Sequence, residues 1–463
     1  MAHATQANAS PCIRVLDATL DLLALHRRNP QRYPFLLQSV AHGAADAHFD
    51  ILFAFPGETL RADALATATS SAAGDFLDRL DARWRDASSS VAPAPADGLP
   101  FTGGWFLFLA YELAGQVEPS LDLPAAKTAL PVAYAARIPA AVIIDHQRQQ
   151  TWLLSEADQA DLLDVLQRDC TATPFPPAVL KGLHVALTED PPSRYLQGVE
   201  RIKQYIVDGD VFQVNLSRAW QGECDAKVTA ADIYQQLCAQ NPAPFAGLAV
   251  IGDAAVISSS PERLVRVTHG QRVETRPIAG TRPRAAHAAD DHALQDELLA
   301  HPKERAEHIM LIDLERNDLG RVCVPGSVEV NELMVLESYT HVHHIVSNVR
   351  GRLRPGVTPG QVIRAVFPGG TITGCPKVRC MEIIAELEAE GRGAYTGSMG
   401  YLNHDGRLDL NILIRTITLS GRQLMLRAGA GIVADSVPQN ELEETRAKAR
   451  GLLLALADDT PRG

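Results

Sequence analysis

The chain has 463 residues, 46% apolar and 21% charged, which is room for two or three domain-sized units with real cores and too apolar for a disordered or fibrous protein. With 43 Lys and Arg against 55 Asp and Glu, the net charge of −12 argues against a general nucleic-acid binder, because phosphate has to be met by excess cation. No run reaches the roughly 18–20 uncharged apolar residues that a membrane span needs. Ile138 to Ile144 comes nearest, and it stops at Asp145 and reads as one buried strand. Met1 to Pro11 lacks a secretory pattern, and the seven scattered cysteines form no CxxC pair, so reduced thiols in a cytoplasmic chain are expected.

In chain order, helical periodicity around Leu20 to His26 precedes a strand-like run from Phe49 to Phe55. Ser88 to Pro100 is rich in Ser, Ala and Pro and reads as a loop, and Gly103-Gly-Trp105 opens an aromatic segment through Tyr111. Prolines crowd Thr171 to Pro192, and beyond them strands and helices alternate from Ser193 to Ala457. The expected division is an N-terminal unit, 1–185, and a larger unit, 186–463, that carries the chemistry.

Pro302 suits the first turn of a helix, which places Glu304 and Glu307 on one face. Asp435-Ser-Val-Pro438 looks like another helix start, after which Glu441, Glu444 and Lys448 share a face. Two such glutamate pairs meeting across a cleft would form an all-oxygen site favouring Mg²⁺, whereas on spacing alone an ordinary surface ion pair is the commoner meaning. Phe367 to Lys377 is a Gly-rich turn feeding a helix from Val378 to Leu387, able to offer N–H groups to an anion. Gly429 and Gly431 follow a strand and read equally as a carboxylate cradle or as a tight turn or bulge. Arg415 sits in an apolar strand, Leu410 to Ile417, and needs an anionic partner, either a substrate or a structural carboxylate. In Thr340 to His344, alternation puts histidines on opposite faces. Glu262 follows a strand, Ala254 to Ser258, as a perch for a general acid.

Taken together these strings resemble the chorismate-utilising enzymes, which include the anthranilate, aminodeoxychorismate, isochorismate and salicylate synthases. The resemblance is carried by Ser260-Pro-Glu-Arg263, Arg276-Pro-Ile-Ala-Gly-Thr281, Lys303-Glu-Arg-Ala-Glu-His308 and Arg316-Asn-Asp-Leu-Gly-Arg321. His343-His-Ile-Val-Ser-Asn348, the Gly369 to Lys377 turn, Ile414-Arg-Thr416, Ala428 to Ser436 and Glu441-Leu-Glu-Glu-Thr445 extend it, densely over about 190–457. It implies an α+β (α/β) fold of two packed antiparallel sheets flanked by helices. It also implies Mg²⁺ at Glu304, Glu307, Glu441 and Glu444. Chorismate carboxylates would be held by Tyr395, Arg415, Gly429 and Lys448, with Gly280, Thr281, Thr371 and Gly431 as further contacts. Glu262 would be the acid that protonates the departing C4 hydroxyl, and His344 would line the ring pocket.

Two positions discriminate among members. Gln213 stands where the water-adding synthases place a lysine base, and a neutral amide cannot deprotonate water, so ammonia is the expected nucleophile. Ala279 stands where many aminodeoxychorismate synthases have a lysine, and it matches the anthranilate synthases instead. Phe367-Pro-Gly-Gly-Thr-Ile-Thr-Gly374, Gln213-Val-Asn-Leu216 and Phe35-Leu-Leu-Gln-Ser39 point back to the aminodeoxychorismate synthases. In the anthranilate synthases the last of these strings carries a glutamate, used for feedback tryptophan, in place of Gln38. The balance favours amination of chorismate at C4, with ammonia from a separate glutamine amidotransferase subunit, since no glutaminase signature is present. The alternatives are anthranilate synthesis and a non-catalytic chorismate-binding subunit, whose mark would be a missing acid or metal glutamate.

Overall fold

In the computed structural model the described residues are 10–40, 48–63, 74–88, 98–172, 183, 185–284, 287–338 and 342–457. The Ser88–Pro100 loop and the proline-rich 171–192 boundary lie largely outside them, as does the start of the Thr340–His344 string.

Among these residues the strands form two antiparallel sheets, one of 12 strands and one of 10. The larger runs from Cys12–Leu16 at one edge, through Phe49–Ala54, Phe35–Gln38, Phe245–Ile251 and Ala254–Ser260, to Thr416–Ser420, Gln423–Ile432 and Gln213–Glu223. The smaller contains Ile278–Pro283, Val342–Arg352, Arg263–Thr268, Leu408–Asn411, Ser398–Asn403 and Gly104–Leu109. Both sheets take strands from either side of residue 185.

Period-two alternation decides what each face buries. In Gly104–Leu109, Phe106 and Phe108 point between the sheets, whereas Trp105, Leu107 and Leu109 join a second cluster on the opposite face. From the other sheet Phe35 stacks on Phe106 with ring centroids 4.0 Å apart. The outer face of the larger sheet is covered by Leu22–Arg28, Ala230–Gln240 and the end of Pro438–Leu456, whose buried leucines form a third cluster. At the starts of Pro302–Gly320 and Pro438–Leu456 the proline occupies the first turn, as the sequence predicts.

Three predicted segments differ. The run from Ile138 to Ile144 is two strands, Ala133–Ile138 in the smaller sheet and Ala140–Asp145 in the larger, broken at Pro139, which has no N–H for a ladder. Leu410 to Ile417 is likewise broken: Leu408–Asn411 belongs to the smaller sheet and Thr416–Ser420 to the larger. Gly429 and Gly431 lie inside the strand Gln423–Ile432, so they are neither a turn nor a sequel to a strand.

The chain changes sheets again between Ala254–Ser260 and Arg263–Thr268. This crossing lies beside the one at 412–415: the Ile412 amide donates to the Glu262 carbonyl at 3.0 Å, and the Ser259 amide to the Arg415 carbonyl at 3.1 Å. Glu262 and Arg415 are thereby placed by backbone pairing at adjacent crossings. Arg415 has φ +51, a left-handed conformation that a non-glycine residue keeps only where its surroundings hold it.

Candidate active site

At the crossings, Glu262 is 5% exposed and its Oε1 makes no hydrogen bond among the described residues. Burial pushes its carboxyl up to about 7, opposed by the Thr371 hydroxyl, the Ile278 amide, and the Lys448 and Arg415 cations. Such a group holds its proton near neutrality and can donate it. Thr371 faces Glu262, its hydroxyl buried and short of hydrogen-bond geometry. Burial also lowers the Arg415 guanidinium, and Glu262 is the charge that opposes this. Arg415 forms no ion pair among the described residues, so the structural-carboxylate alternative finds no partner there and the cation is left facing an anion site.

His344 and His343 point to opposite faces of Val342–Arg352, as the alternation predicts. His343 meets Asp291 at 2.9 Å. Burial, then Arg415, drives His344 down to about 3, so it is a neutral imidazole at physiological pH. Across the ladder Thr281 pairs with His344 and buried Ala279 with Ile345. Between them Gly280 has φ +65, which favours glycine, and a Cβ there would press on the side-chain ends of Leu298 at 2.8 Å and Glu304 at 3.0 Å.

The helix Pro302–Gly320 brings Glu304 against Gly280 and Glu307 against Gln213, whose Nε2 donates to Glu307 Oε1 at 2.7 Å. Gln213 pairs across the ladder with Cys375, and Asn215, two residues on, with Gly431. A Cβ on Gly431 would lie 3.3 Å from Glu307 Oε1 and press on the Gln213 amide; one on Gly429 would lie 2.8 Å from both Tyr395 Oη and Asn215 Oδ1. These strand glycines let the helix, Gln213 and Tyr395 close in. Gly429→Ala would also place its methyl 2.7 Å from the Leu216 carbonyl, a backbone atom that cannot yield. We expect a fall in affinity for the site's substrate of roughly tenfold or more from such overpacking, read as a KM increase in steady-state kinetics.

Lys448 donates to the Gly429 carbonyl at 3.1 Å and pairs with Glu444 at 2.8 Å. That pair is about half exposed (45% and 49%), so releasing Lys448 to an arriving anion costs little. Burial raises the Glu307 carboxyl; Gln213 and Lys448 lower it, and Glu304 and Glu444 raise it further. Glu441 is buried near Tyr195. The four glutamates are thus an all-oxygen set, three of them close enough to repel, the chemistry a hard cation relieves. As placed, Gln213 holds Glu307 and Lys448 holds Glu444, and no group of three His, Cys, Asp or Glu among the described residues stands ready to hold an ion.

Sequence reasoning did not single out Asn215, whose buried Oδ1 has no partner among the described residues. Its i, i+2 spacing from Gln213 was the available signal. It also missed the support behind the strand. Glu388, 4% exposed, takes Arg392 at 2.6 Å and Arg427 at 3.0 Å, and Arg392 donates to the Asn215 carbonyl at 2.7 Å and lies over the Tyr395 ring.

A cavity of about 400 Å³ is lined by Gln38, Ser39, Phe245, Arg263, Met399 and Asp409 among others, and does not include the four glutamates or Glu262. Gln38 there donates to Asp50 at 2.9 Å and accepts from the Tyr234 hydroxyl at 3.1 Å. No helix among the described residues is long and apolar enough to cross a membrane.

The fold and the site, with a buried acid whose proton affinity is raised beside Arg415, which has no ion pair among the described residues, and the readily released Lys448, are those of an enzyme acting on a small anion. The chain belongs to the chorismate binding enzyme family, whose profile matches residues 31–454. It is 46% identical over 364 residues to an "Anthranilate synthase component I-like protein" of Synechocystis, covering 77% of this chain and 73% of that one. It is 44% identical over 370 residues to "Aminodeoxychorismate synthase component 1" of Bacillus subtilis, covering 77% of each. Among solved structures, anthranilate synthase component I of Streptococcus pneumoniae superposes with a TM-score of 0.78 at 32% identity, covering 89% of this chain and 93% of that one. The two-sheet α+β architecture is shared with that enzyme, and the chain is a chorismate-utilising enzyme.

Proposed function

We propose that this chain aminates chorismate at C4, converting chorismate and ammonia to 4-amino-4-deoxychorismate and water, the reaction that feeds p-aminobenzoate and folate synthesis. The observation that supports amination over water addition is Gln213: a buried amide, engaged to Glu307, occupies the position that by family resemblance holds a lysine base in the water-adding synthases. Arg415, Lys448, Tyr395 and the Gly429 backbone would hold the two carboxylates, with Gly280, Thr281, Thr371 and Gly431 completing the pocket. Glu262 would give its proton to the C4 oxygen, which leaves as water. The neutral His344 would line the ring without carrying charge. Mg²⁺ would be held by Glu304, Glu307, Glu441 and Glu444, where it would neutralise a substrate carboxylate. Ammonia would come from a separate glutamine amidotransferase subunit in the cytoplasm, and the 186–463 unit would carry the site.

Preference for C4 rests on the Phe367–Gly374 and Gln213–Leu216 strings and on the Bacillus relative. Ala279 supports the second reading, anthranilate synthesis, because no lysine adduct can form there. A chorismate-binding subunit without turnover is disfavoured by the complete set of acid and metal glutamates. Incubating the purified protein with chorismate, Mg²⁺ and ammonium at alkaline pH decides between them. A non-fluorescent product that aminodeoxychorismate lyase converts to p-aminobenzoate is expected. Fluorescent anthranilate formed without the lyase would establish C2 amination instead, and no product at all would favour the binding subunit.

A further inference from the structure

Behind Glu262 lies a second buried carboxyl group with no role in the scheme above. Glu315, on the helix Pro302–Gly320, is 5% exposed. Its Oε1 lies 3.6 Å from where a Cβ on Gly370 would stand, next to the Thr371 that faces Glu262. Its other neighbour is the Thr275 hydroxyl, at the end of the strand leading to Ile278, whose amide serves Glu262. The two carboxyls therefore sit between the same turn and the same strand junction. Around them Glu262 Oε1, Thr371 Oγ1 and Thr275 Oγ1 are buried without a hydrogen-bond partner among the described residues. Buried polar atoms left without a partner call for an explanation in function or bound water.

The charged surroundings differ. Glu262 answers to Lys448 and Arg415 on the substrate side. Glu315 answers to Asp318, one turn further along its helix, to Lys377 at the start of the helix Lys377–Glu388, and to Glu262 itself. Lys377 in turn donates to Asp318 at 2.5 Å and to the Val366 carbonyl at 3.3 Å.

We infer that Glu315 supplies the proton that restores Glu262 after each turnover, which makes it a positioning residue acting through the general acid. The Glu262 O–H breaks as the C4 oxygen gains its proton, and the C–O electron pair leaves with the oxygen as water. The Glu315 O–H then breaks and a new Glu262 O–H forms. Glu315 regains a proton from solvent, matched in the overall balance by the proton lost from the attacking ammonia. Burial, with Asp318 and Glu262, lifts the Glu315 carboxyl to about 8 against Lys377 and Thr275, so it is the member of the pair still loaded when Glu262 has begun to ionise.

This inference rests on reading Glu262 as the acid, and Glu315→Gln separates the two. At about pH 8 and fixed NH₃, its steady-state kcat should fall by about tenfold or more with KM unchanged, while its single-turnover rate stays near wild type. Glu315→Asp should restore part of kcat. Because Lys377 draws the Glu315 proton affinity down, Lys377→Met should move the alkaline limb of kcat to higher pH, which keeps the inference testable if the glutamine variant fails to fold. A wild-type kcat profile in Glu315→Gln, an equal loss in both kinetic regimes, or an unmoved limb in Lys377→Met would overturn it. Full activity in Glu262→Gln would instead remove the reading beneath it.

Discussion

Glu262→Gln is expected to lower turnover by roughly 10²–10⁴-fold, the usual contribution of a positioned general acid, while chorismate still binds. The amide keeps the shape of the side chain and removes the proton that would go to the C4 oxygen. In the native enzyme the same group sets a pH limit on the chemical step, read as the single-turnover rate. Its carboxyl is pushed up to about 7, so the donating form is complete below that value and falls about tenfold per pH unit above it. Free ammonia changes in the opposite direction, so only rates compared at constant NH₃ expose the limb. The folded state is affected by the same shift. A buried carboxyl whose proton affinity is raised favours folding fully below its unfolded value of 4.5, and that contribution is lost as pH rises through about 7. Glu262→Gln should therefore be at least as stable as wild type at alkaline pH by thermal unfolding, which separates lost chemistry from lost structure. Turnover within twofold of wild type would remove Glu262 as the acid.

Arg415→Gln should weaken chorismate binding by more than about a hundredfold, since charge-assisted hydrogen bonds to a carboxylate contribute roughly 1.5–3 kcal/mol each. Direct titration with chorismate, supported by kcat/KM, measures it. Arginine and glutamine both carry a Cβ at φ +51, so the backbone conformation is burdened alike and the difference isolates the guanidinium. Arg415→Lys should fall between them, because an ammonium brings the charge without the planar fork. No carboxylate of the described chain is ion-paired with Arg415, so its loss leaves no buried anion stranded and the fold should survive. Unchanged affinity in Arg415→Gln would mean that the cation serves the sheet crossing alone.

What was legible in the sequence follows from local rules. A proline in the first turn announced both glutamate helices, and i, i+3 spacing put Glu304 with Glu307 and Glu441 with Glu444. Alternation separated His343 from His344. The family was legible as well, because its ordered strings survive without any knowledge of shape.

Two apolar runs were read wrongly where the chain leaves one sheet for the other, a point that Pro139 marks in the first and that no residue of this kind marks in the second. Ile138 to Ile144 and Leu410 to Ile417 each look continuous, and each is divided between the two sheets. For Gly429 and Gly431 a tight turn or bulge stood level with a carboxylate cradle; they lie within a strand, where Tyr395, Asn215 and Gln213 approach closely. Glu315 lay unmarked in a helix of charged residues, since nothing in its spacing tells a buried carboxyl from a solvated one.

By itself, then, the sequence determined where helices begin, which faces they share, the alternation of the strands, and the family. Those are short-range properties, written in periodicity, caps and ordered motifs. Only the tertiary structure decided that Glu262 and Arg415 occupy neighbouring sheet crossings, locked by the Ile412 and Ser259 amides, and that Glu315 is buried behind them. Burial and long-range strand pairing set the proton affinity of each group, and both arise only when distant parts of the chain exclude water from the same place.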